Sequence, residues 1–201
     1  PARRFRRKAL ADATDAGLFD EAAEHGDELA ALAETEPERR DAALAVIAAL
    51  VKGRRFRDAR RRLDRLDVPP RSAADIRRRI LALQVIHGLA EPAADDPTLL
   101  PDADALGEAT LACEARLALA GVAGAARARA LLDEAVERAQ AVGAALELSA
   151  RVQRFDLTYA TDHCDLSLAE RDLTRALVLS LSPGVAPPWQ RLHLQGSLVV
   201  V

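Results

Sequence analysis

The chain has 201 residues and a formal net charge of −3, and half of its residues are hydrophobic although only 3% are aromatic. Ala and Leu, which together make up more than a third of the chain, are the strongest helix formers, whereas the β-branched and aromatic residues that favour strands are scarce. The composition therefore excludes a β-sandwich, a barrel and a sheet-centred α/β enzyme, and it predicts an all-α fold.

Turn signals divide the chain into nine predicted helices. These are predicted over residues 2–16, 19–34, 37–52, 55–66, 73–88, 102–120, 125–142, 144–162 and 166–181. Ser72 and Asp75 predict a capping box at the start of the fifth helix. We expect residues 1–183 to form one helical repeat array with a break at the Pro-rich stretch 89–101, followed by an irregular tail over residues 184–201.

Two of the predicted helix pairs repeat one pattern. Phe19 and Phe56 are 37 residues apart, as are Ala22 and Ala59. In both pairs a Gly ends one helix, an aromatic residue starts the next, and a small Ala lets the two helices approach closely. We expect the Gly in each case to adopt the left-handed conformation.

This pattern resembles the tetratricopeptide repeat (TPR), a pair of helices of about 34 residues. The matching positions are Ala128, Leu132 and Ala135 in the seventh predicted helix, Ala169, Leu173, Ala176 and Pro183 in the last, and Leu44, Ile47, Ala48, Val51, Val152, Phe155 and Tyr159 in first helices. The family's Trp is absent. The resemblance implies a TPR-like solenoid of antiparallel helix pairs with a right-handed superhelix. A compact helical bundle is the alternative.

Sequence motifs for catalysis are missing from the chain: it has no P-loop, GxGxxG, HExxH, GxSxG or CxxC. We interpret Asp162-His163-Cys164-Asp165 as the turn at a helix end, because adjacent helical residues point about 100° apart and a Cys–His pair must face each other. The four His residues have no partner at i+4. We therefore predict a protein that is not an enzyme and has no metal site and no cofactor.

Charge is segregated along the chain. Residues 9–41 hold eleven acids and two bases, residues 52–79 hold twelve bases and four acids, and residues 80–201 hold sixteen acids and nine bases. We call the outward arginines of the middle segment the basic patch: Arg57, Arg61, Arg62, Arg65, Arg77, Arg78 and Arg79. One interpretation is that the patch pairs with acidic helices stacked beside it. The other is that the patch binds an acidic protein segment or, as a second choice, nucleic acid. Aromatic residues that could stack bases are nearly absent near the patch, which counts against single-stranded nucleic acid.

The resemblance implies a protein–protein interaction module that serves as a scaffold or as a regulatory or sensor domain. In such arrays the first helix of each pair lines a concave groove that binds a peptide or a partner helix. The candidate groove residues are Arg40, Gln84, Glu114, Arg116, Gln153 and Asp156. The alternative function is binding of nucleic acid or another acidic ligand through residues 52–79.

The same composition resembles the repeat regions of regulators in high-GC bacteria. We therefore expect a cytoplasmic protein that binds another protein or peptide, in preference to nucleic acid, and does not contact membranes; no apolar run approaches the ~18 residues of a membrane span. The chain contains no Met. A piece of a larger regulator and a small protein that has lost its initiator Met both remain open as interpretations.

Overall fold

The computed structural model of the chain describes residues 2–93, 96–161, 165–186 and 194. Over these residues the all-α prediction is confirmed, because they form ten α-helices and no strand. The helices are α1 (Ala2–Asp15), α2 (Phe19–Ala31), α3 (Glu36–Lys52), α4 (Phe56–Leu63), α5 (Ala73–Gly88), α6 (Leu99–Ala105), α7 (Ala109–Val122), α8 (Ala125–Val142), α9 (Ala144–Ala160) and α10 (Leu166–Ser180).

The chain divides into two compact units, Pro1–Asp102 (unit 1) and Ala103–Val201 (unit 2). In unit 1, α2 packs against α1 and α3, and α3 also contacts α4 and α5. In unit 2, each helix from α7 to α10 packs against the next, and α7 also contacts α9. Most of the predicted tail, residues 184–201, lies outside the described residues.

The single helix predicted over residues 102–120 is wrong, since the structure has two helices there. Gly107 separates α6 from α7 with a φ of +70°, a conformation that favours glycine. Helix α6 also starts earlier than expected, at Leu99, inside the stretch predicted to be irregular. Pro101 lies in the first turn of α6, where its missing N–H removes no helical hydrogen bond.

Side chains cap several helix starts. The Ser72 hydroxyl accepts the predicted hydrogen bond from the Asp75 backbone N–H at 3.1 Å. The Asp75 carboxylate, however, accepts a bond from the Arg71 N–H at 3.1 Å, so the box does not close on Ser72. A complete capping box, which sequence analysis missed, joins Thr35 and Glu38 at the start of α3.

The predicted glycine caps are half right. Gly17 is left-handed, with a φ of +77°. Gly53 has a φ of −75°, and the left-handed residue after α3 is instead Arg54, with a φ of +59°. Gly53 is small for a different reason, because Phe19 packs directly against it.

The small residues of the predicted repeat pattern lie in the cores of their units. Those buried are Ala22, Ala59, Ala128, Ala135, Ala169 and Ala176. In unit 1, α3 supplies most of the core, with Leu44, Val46, Ile47 and Leu50 packed against residues of α2, α4 and α5. In unit 2, Leu148 and Phe155 of α9 pack against Leu173 and Leu179 of α10.

Tyr159 departs from its expected apolar position. It is 46% exposed, and its ring stacks on Phe155 with 5.8 Å between ring centroids. Thr158 in the same turn is fully buried, so only the face of this turn that carries Tyr159 is exposed.

Candidate binding cleft

A cleft of about 680 Å³ opens between α2 and α4. Both helices pack mainly on α3, which lies beneath the cleft. Ile47 and Leu50 of α3 and Ala23 of α2 form its apolar floor, with the half-buried Ala43 and Leu66 at its edges. Ile47, Leu50 and Ala23 are themselves almost fully buried in the core, so the apolar residues that remain partly exposed between the two charged walls are Ala43 and Leu66.

The wall on α2 is acidic. Asp20, Glu24 and Asp27 follow each other at spacings of four and three residues, which places them on one face of the helix. All three side chains are exposed. From Asp20 to Asp27 the wall extends about 10 Å along the helix axis.

The wall on α4 and the turn after it is mainly basic. It carries Arg55, Arg61, Arg62 and Arg65, with Asp58 as its acid. Hydrogen bonds from Arg55 and Arg61 lower the pKa of Asp58 below its usual value. Asp58 therefore stays ionised and neutralises part of the positive charge of the α4 wall.

Two ion pairs cross the cleft. Arg55 Nη1 lies 2.6 Å from Asp20 Oδ1, and the two nitrogens Nη1 and Nη2 of Arg62 lie 2.7 and 2.8 Å from the two oxygens of Asp27. Both pairs join residues 35 positions apart, so α4 runs beside α2 in the same direction. We call them the cross-cleft pairs. The hydrogen bond to Asp27 raises the pKa of Arg62 above its already high usual value.

Two charged residues of the cleft are left without a partner. Within the described part of the chain, neither Glu24 nor Arg65 makes a side-chain hydrogen bond or an ion pair, and both are exposed. Glu21 and Arg57, on the same two helices, are also exposed but do not line the cleft. These two residues provide matched controls for Glu24 and Arg65.

The seven arginines of the basic patch have different surroundings in the structure. Arg61, Arg62 and Arg65 line the cleft, whereas Arg57 does not. Arg77 lies 4.0 Å from Asp41, and Arg78 lies 3.5 Å from Asp75. Five of the seven patch arginines therefore lie near carboxylates, Arg61 and Arg78 within their own helices and Arg62, Arg77 and Arg79 on other segments, which favours in part the interpretation that the patch pairs with neighbouring acidic segments.

The prediction that the Arg79 side chain points outward is wrong. Its side chain is only 14% exposed, because it reaches the acids that follow α5. It donates to Asp96 at 2.6 and 2.9 Å and to Asp102 at 2.8 Å. The hydrogen bond from Arg79 lowers the pKa of Asp96. Arg79 thus holds the segment after α5 against that helix.

None of the six predicted groove residues lines the cleft. Arg40 of α3 donates to the Asp67 carbonyl at 3.1 Å, and Gln84 of α5 is half-buried. In unit 2, Glu114 and Gln153 are half-buried and Asp156 is exposed. The first-helix groove stays a prediction for these five residues.

The sixth predicted groove residue, Arg116, is instead buried, so its prediction is corrected. It is 3% exposed, and its guanidinium is held by Asp104 at 2.9 Å and Glu134 at 2.7 Å. The hydrogen bond from Arg116 also lowers the pKa of Asp104. Because its charge is neutralised inside unit 2, this side chain cannot bind a partner in a groove.

Sequence analysis missed a charge network between α9 and α10. The fully buried Asp172 accepts hydrogen bonds from Arg151 at 2.9 Å and from Arg154 at 2.7 Å. Burial raises the pKa of the Glu147 carboxylate, but bonds from Arg175 and Arg151 outweigh it and lower that pKa. The only hint of this network in the sequence was the i, i+4 spacing of Glu147 and Arg151, which is typical of an ion pair on a helix. Arg154 extends the network to Asp133 of α8, at 2.8 Å, so it ties three helices together.

Metal-binding clusters and thiols are the other side-chain groups that could carry chemistry. The described residues contain no group of three or more His, Cys, Asp or Glu side chains placed to hold a metal ion. The Cys113 thiol donates to the Ala135 carbonyl at 3.4 Å, and burial raises its pKa to about 11, so it is protonated and unreactive near neutral pH. Asp162, His163 and Cys164 lie outside the described residues.

No helix in the part of the chain described here is both long and apolar enough to span a bilayer. Comparisons of the chain with protein-family models, with curated proteins and with solved structures give no match. The cleft and its charges are therefore the features from which a function follows.

Proposed function

We propose that the chain is a protein–protein interaction module, and that unit 1 holds a segment of a partner protein in the cleft between α2 and α4. The observation that carries this proposal is a cleft in which the partly exposed apolar residues Ala43 and Leu66 lie between two charged walls. Its volume of about 680 Å³ is within the ~300–1,000 Å³ of typical ligand sites. Buried apolar contacts supply affinity in such a site, and placed charges supply specificity.

The groups of the cleft suit binding better than catalysis. Arginine keeps its proton at any pH near neutrality, and the lowered pKa of Asp58 keeps that carboxylate ionised. A general acid or base needs a pKa near the working pH. Neither Asp58 nor the arginines meet that requirement.

The helix pairs are, in this proposal, degenerate repeats of the TPR-like type. Two observations support it: buried Ala residues recur at the matching positions, and alternate helices contact each other in α3–α5 and α7–α9. The proposed site lies between second helices, α2 and α4, over the first helix α3. It therefore differs from the first-helix groove that the resemblance implies.

Nucleic-acid binding is the weaker alternative. Asp20, Glu24 and Asp27 face the arginines of α4 across the cleft. These carboxylates would repel a phosphate backbone, whose binding depends on cationic side chains releasing counterions. The cross-cleft pairs also occupy two of the arginines.

The test is a selection of peptides from a displayed library against the immobilised full chain. We expect the selected peptides to lose binding at least about tenfold with Arg65→Glu, a change of about 1.4 kcal/mol. The control variant Arg57→Glu should bind normally. Peptides that bind both variants equally well, or tight binding of duplex DNA that falls steeply with salt, would overturn the proposal.

A further inference from the structure

We infer that copies of this chain associate with one another, the exposed face of α1 in one copy packing against the exposed face of α10 in the next. Each of these helices uses its opposite side to pack within its own unit. The side chains of the two exposed faces complement each other when the helices run antiparallel. The inference is independent of the proposed function, because neither face contributes a residue to the cleft.

The exposed face of α1 carries an aromatic residue and an acid. Leu10 and Ala13 form the core side of this helix and join a buried cluster with residues of α2 and α3. Phe5 is 64% exposed, and Asp12 is also exposed. They are seven residues apart, which is two helical turns to within about 20°, so they share one face. The other three Phe residues of the chain are buried or half-buried, which makes Phe5 an unusual surface group.

The two groups of this face are available to a partner. The Arg6 guanidinium lies 5.6 Å from the centroid of the Phe5 ring, and Arg6 is itself bound to Glu28 of α2 at 2.7 Å. This cation–π contact holds the ring in place while leaving most of it exposed. Asp12 pairs with Lys8 through Oδ2 at 2.5 Å, and among the described residues its Oδ1 atom has no hydrogen-bond partner. That oxygen can accept a further bond.

The exposed face of α10 has the complementary groups at the same spacing. Val178, and Leu181 just after the helix, are 53% and 68% exposed and form an apolar patch. Arg171 is exposed and lies seven residues before Val178, so it shares that face. Its Nε atom donates to the Ser167 carbonyl at 3.2 Å, and within the described residues Arg171 forms no ion pair. A cation therefore precedes the apolar patch by two turns.

The order of these groups selects one arrangement of the helices. Antiparallel packing of α1 on α10 places Phe5 against Val178 and Asp12 against Arg171, with the two contacts about 10 Å apart along each helix. Parallel packing would place Phe5 against Arg171. Two α1 faces packed antiparallel would oppose Phe5 and Asp12, and two α10 faces would oppose Val178 and Arg171. Of these four arrangements, only the first joins apolar with apolar and acid with base.

The contact should be weak and reversible. Stable interfaces bury ~1,200–2,000 Å² of surface, and a contact between two single helices is smaller than that. We therefore expect a dissociation constant on the order of 10–100 µM. The Phe5 ring supplies the apolar contact, and the ion pair between Asp12 and Arg171 fixes the direction of the helices.

Sedimentation velocity of the full chain tests this inference. We expect the average mass of the wild type to rise above the 21.6 kDa of one chain as the concentration increases through roughly 10–500 µM. Phe5→Glu blocks the α1 face and Val178→Glu blocks the α10 face, so each variant alone should stay monomeric. A mixture of the two retains one intact contact and should form a 1:1 dimer and nothing larger. The matched control Ala130→Glu, at an exposed position of α8, should associate like the wild type.

Exchange of the two charges tests the ion pair separately. Asp12→Arg and Arg171→Asp should each weaken association at least about fivefold, and the double variant should regain most of the loss. Because these positions are exposed, circular dichroism should show that the variants fold like the wild type. Arg65→Glu, which alters the cleft, should leave association unchanged, so this inference and the proposed function can fail separately.

Three results would overturn the inference. The first is a wild-type chain that stays monomeric at about 500 µM. The second is a mixture of Phe5→Glu and Val178→Glu that forms no dimer. The third is a single variant, Phe5→Glu or Val178→Glu, that associates as tightly as the wild type, because the contact would then not need both faces.

Discussion

The ring of Phe56 lies directly over Gly88, so that a Cβ atom at Gly88 would be 2.3 Å from the Cζ atom of the ring. Phe19 has the same relationship to Gly53, where a Cβ atom would be 2.8 Å from the Phe19 Cβ. In both cases the Phe begins the second helix of a predicted pair, and the Gly lies at the end of the following helix. Close contact with a glycine is thus a shared feature of the two aromatic positions.

Replacing that glycine should therefore destabilise unit 1. We expect Gly88→Ala to cost about 1–3 kcal/mol in the free energy of unfolding, because the half-buried Phe56 ring has to shift from its packed position against Gly88. Urea denaturation measures this cost. In a Phe56→Ala background the same change should cost much less, since the clash is removed. If Gly88→Ala costs the same free energy of unfolding in both backgrounds, contact with the Phe56 ring is not the cause of the destabilisation.

Ala59 tests the repeat pattern itself. It is fully buried where α4 meets its neighbours. Ala59→Arg should destabilise the protein by at least about 3 kcal/mol, because it places a long charged side chain in a close-packed contact. Ala11→Arg, on the exposed face of α1, is the control and should melt like the wild type. An unchanged melting temperature for Ala59→Arg would mean that the assigned repeat positions are wrong.

The triple variant Arg61→Glu, Arg62→Glu, Arg65→Glu separates binding from stability. It breaks one cross-cleft pair and one pair within α4, and exposed ion pairs contribute only ~0–1 kcal/mol each. We expect a stability loss below about 2 kcal/mol and a loss of peptide binding of more than about tenfold. Unfolding of the variant, with normal binding by any remaining folded protein, would assign these arginines to internal pairing alone.

The Arg79–Asp96 pair predicts a pH dependence. The pKa of Asp96 is lower in the folded state than in the unfolded chain. The pair therefore stabilises the fold above the unfolded value of about 3.9, and this contribution is lost as the pH falls through the folded pKa. Asp96→Asn should be clearly less stable than wild type at pH 7, and the difference should shrink below about pH 4. The measurement is urea denaturation at several pH values. A difference of the same size at pH 7 and pH 3 would contradict this account.

Within unit 2, we expect the largest loss of stability from substitution of Asp172. It is fully buried and binds both Arg151 and Arg154. Asp172→Ala leaves two arginines without that compensating charge, and breaking a buried pair in this way costs about 3–5 kcal/mol. Thermal unfolding followed by circular dichroism tests it. Glu170→Ala, which removes an exposed acid of α10, serves as the comparison and should have a small effect.

Most helix bounds could be predicted because their signals are local. Glycine, proline and capping residues act within a few positions, and α3, α5 and α8 begin and end within one residue of the predicted bounds. The break at Gly107 was missed because a single glycine is also tolerated within helices. Its positive φ depends on how the chain packs beyond that point.

The cleft could be predicted only in part. The acidic segment, the basic segment and the buried stripe of α4 are all visible in the sequence. Which arginine faces which acid depends on the packing of α2 and α4 on α3, and sequence spacing alone does not determine it. Arg116 illustrates the same difficulty: its helix position is polar by pattern, yet Asp104 and Glu134 make its burial favourable.

The cross-cleft pairs also constrain how this protein can diverge. A charge change at Asp27 alone leaves Arg62 facing a neutral or like-charged residue, so substitutions at these two positions should be inherited together, often as an exchange of acid and base. Among the residues that the structure describes, Glu24 and Arg65 have no such internal partner. If the cleft binds a partner protein as proposed, their charges should instead vary with that partner in related sequences, so that some positions on these two helices would change with the fold and others with the partner.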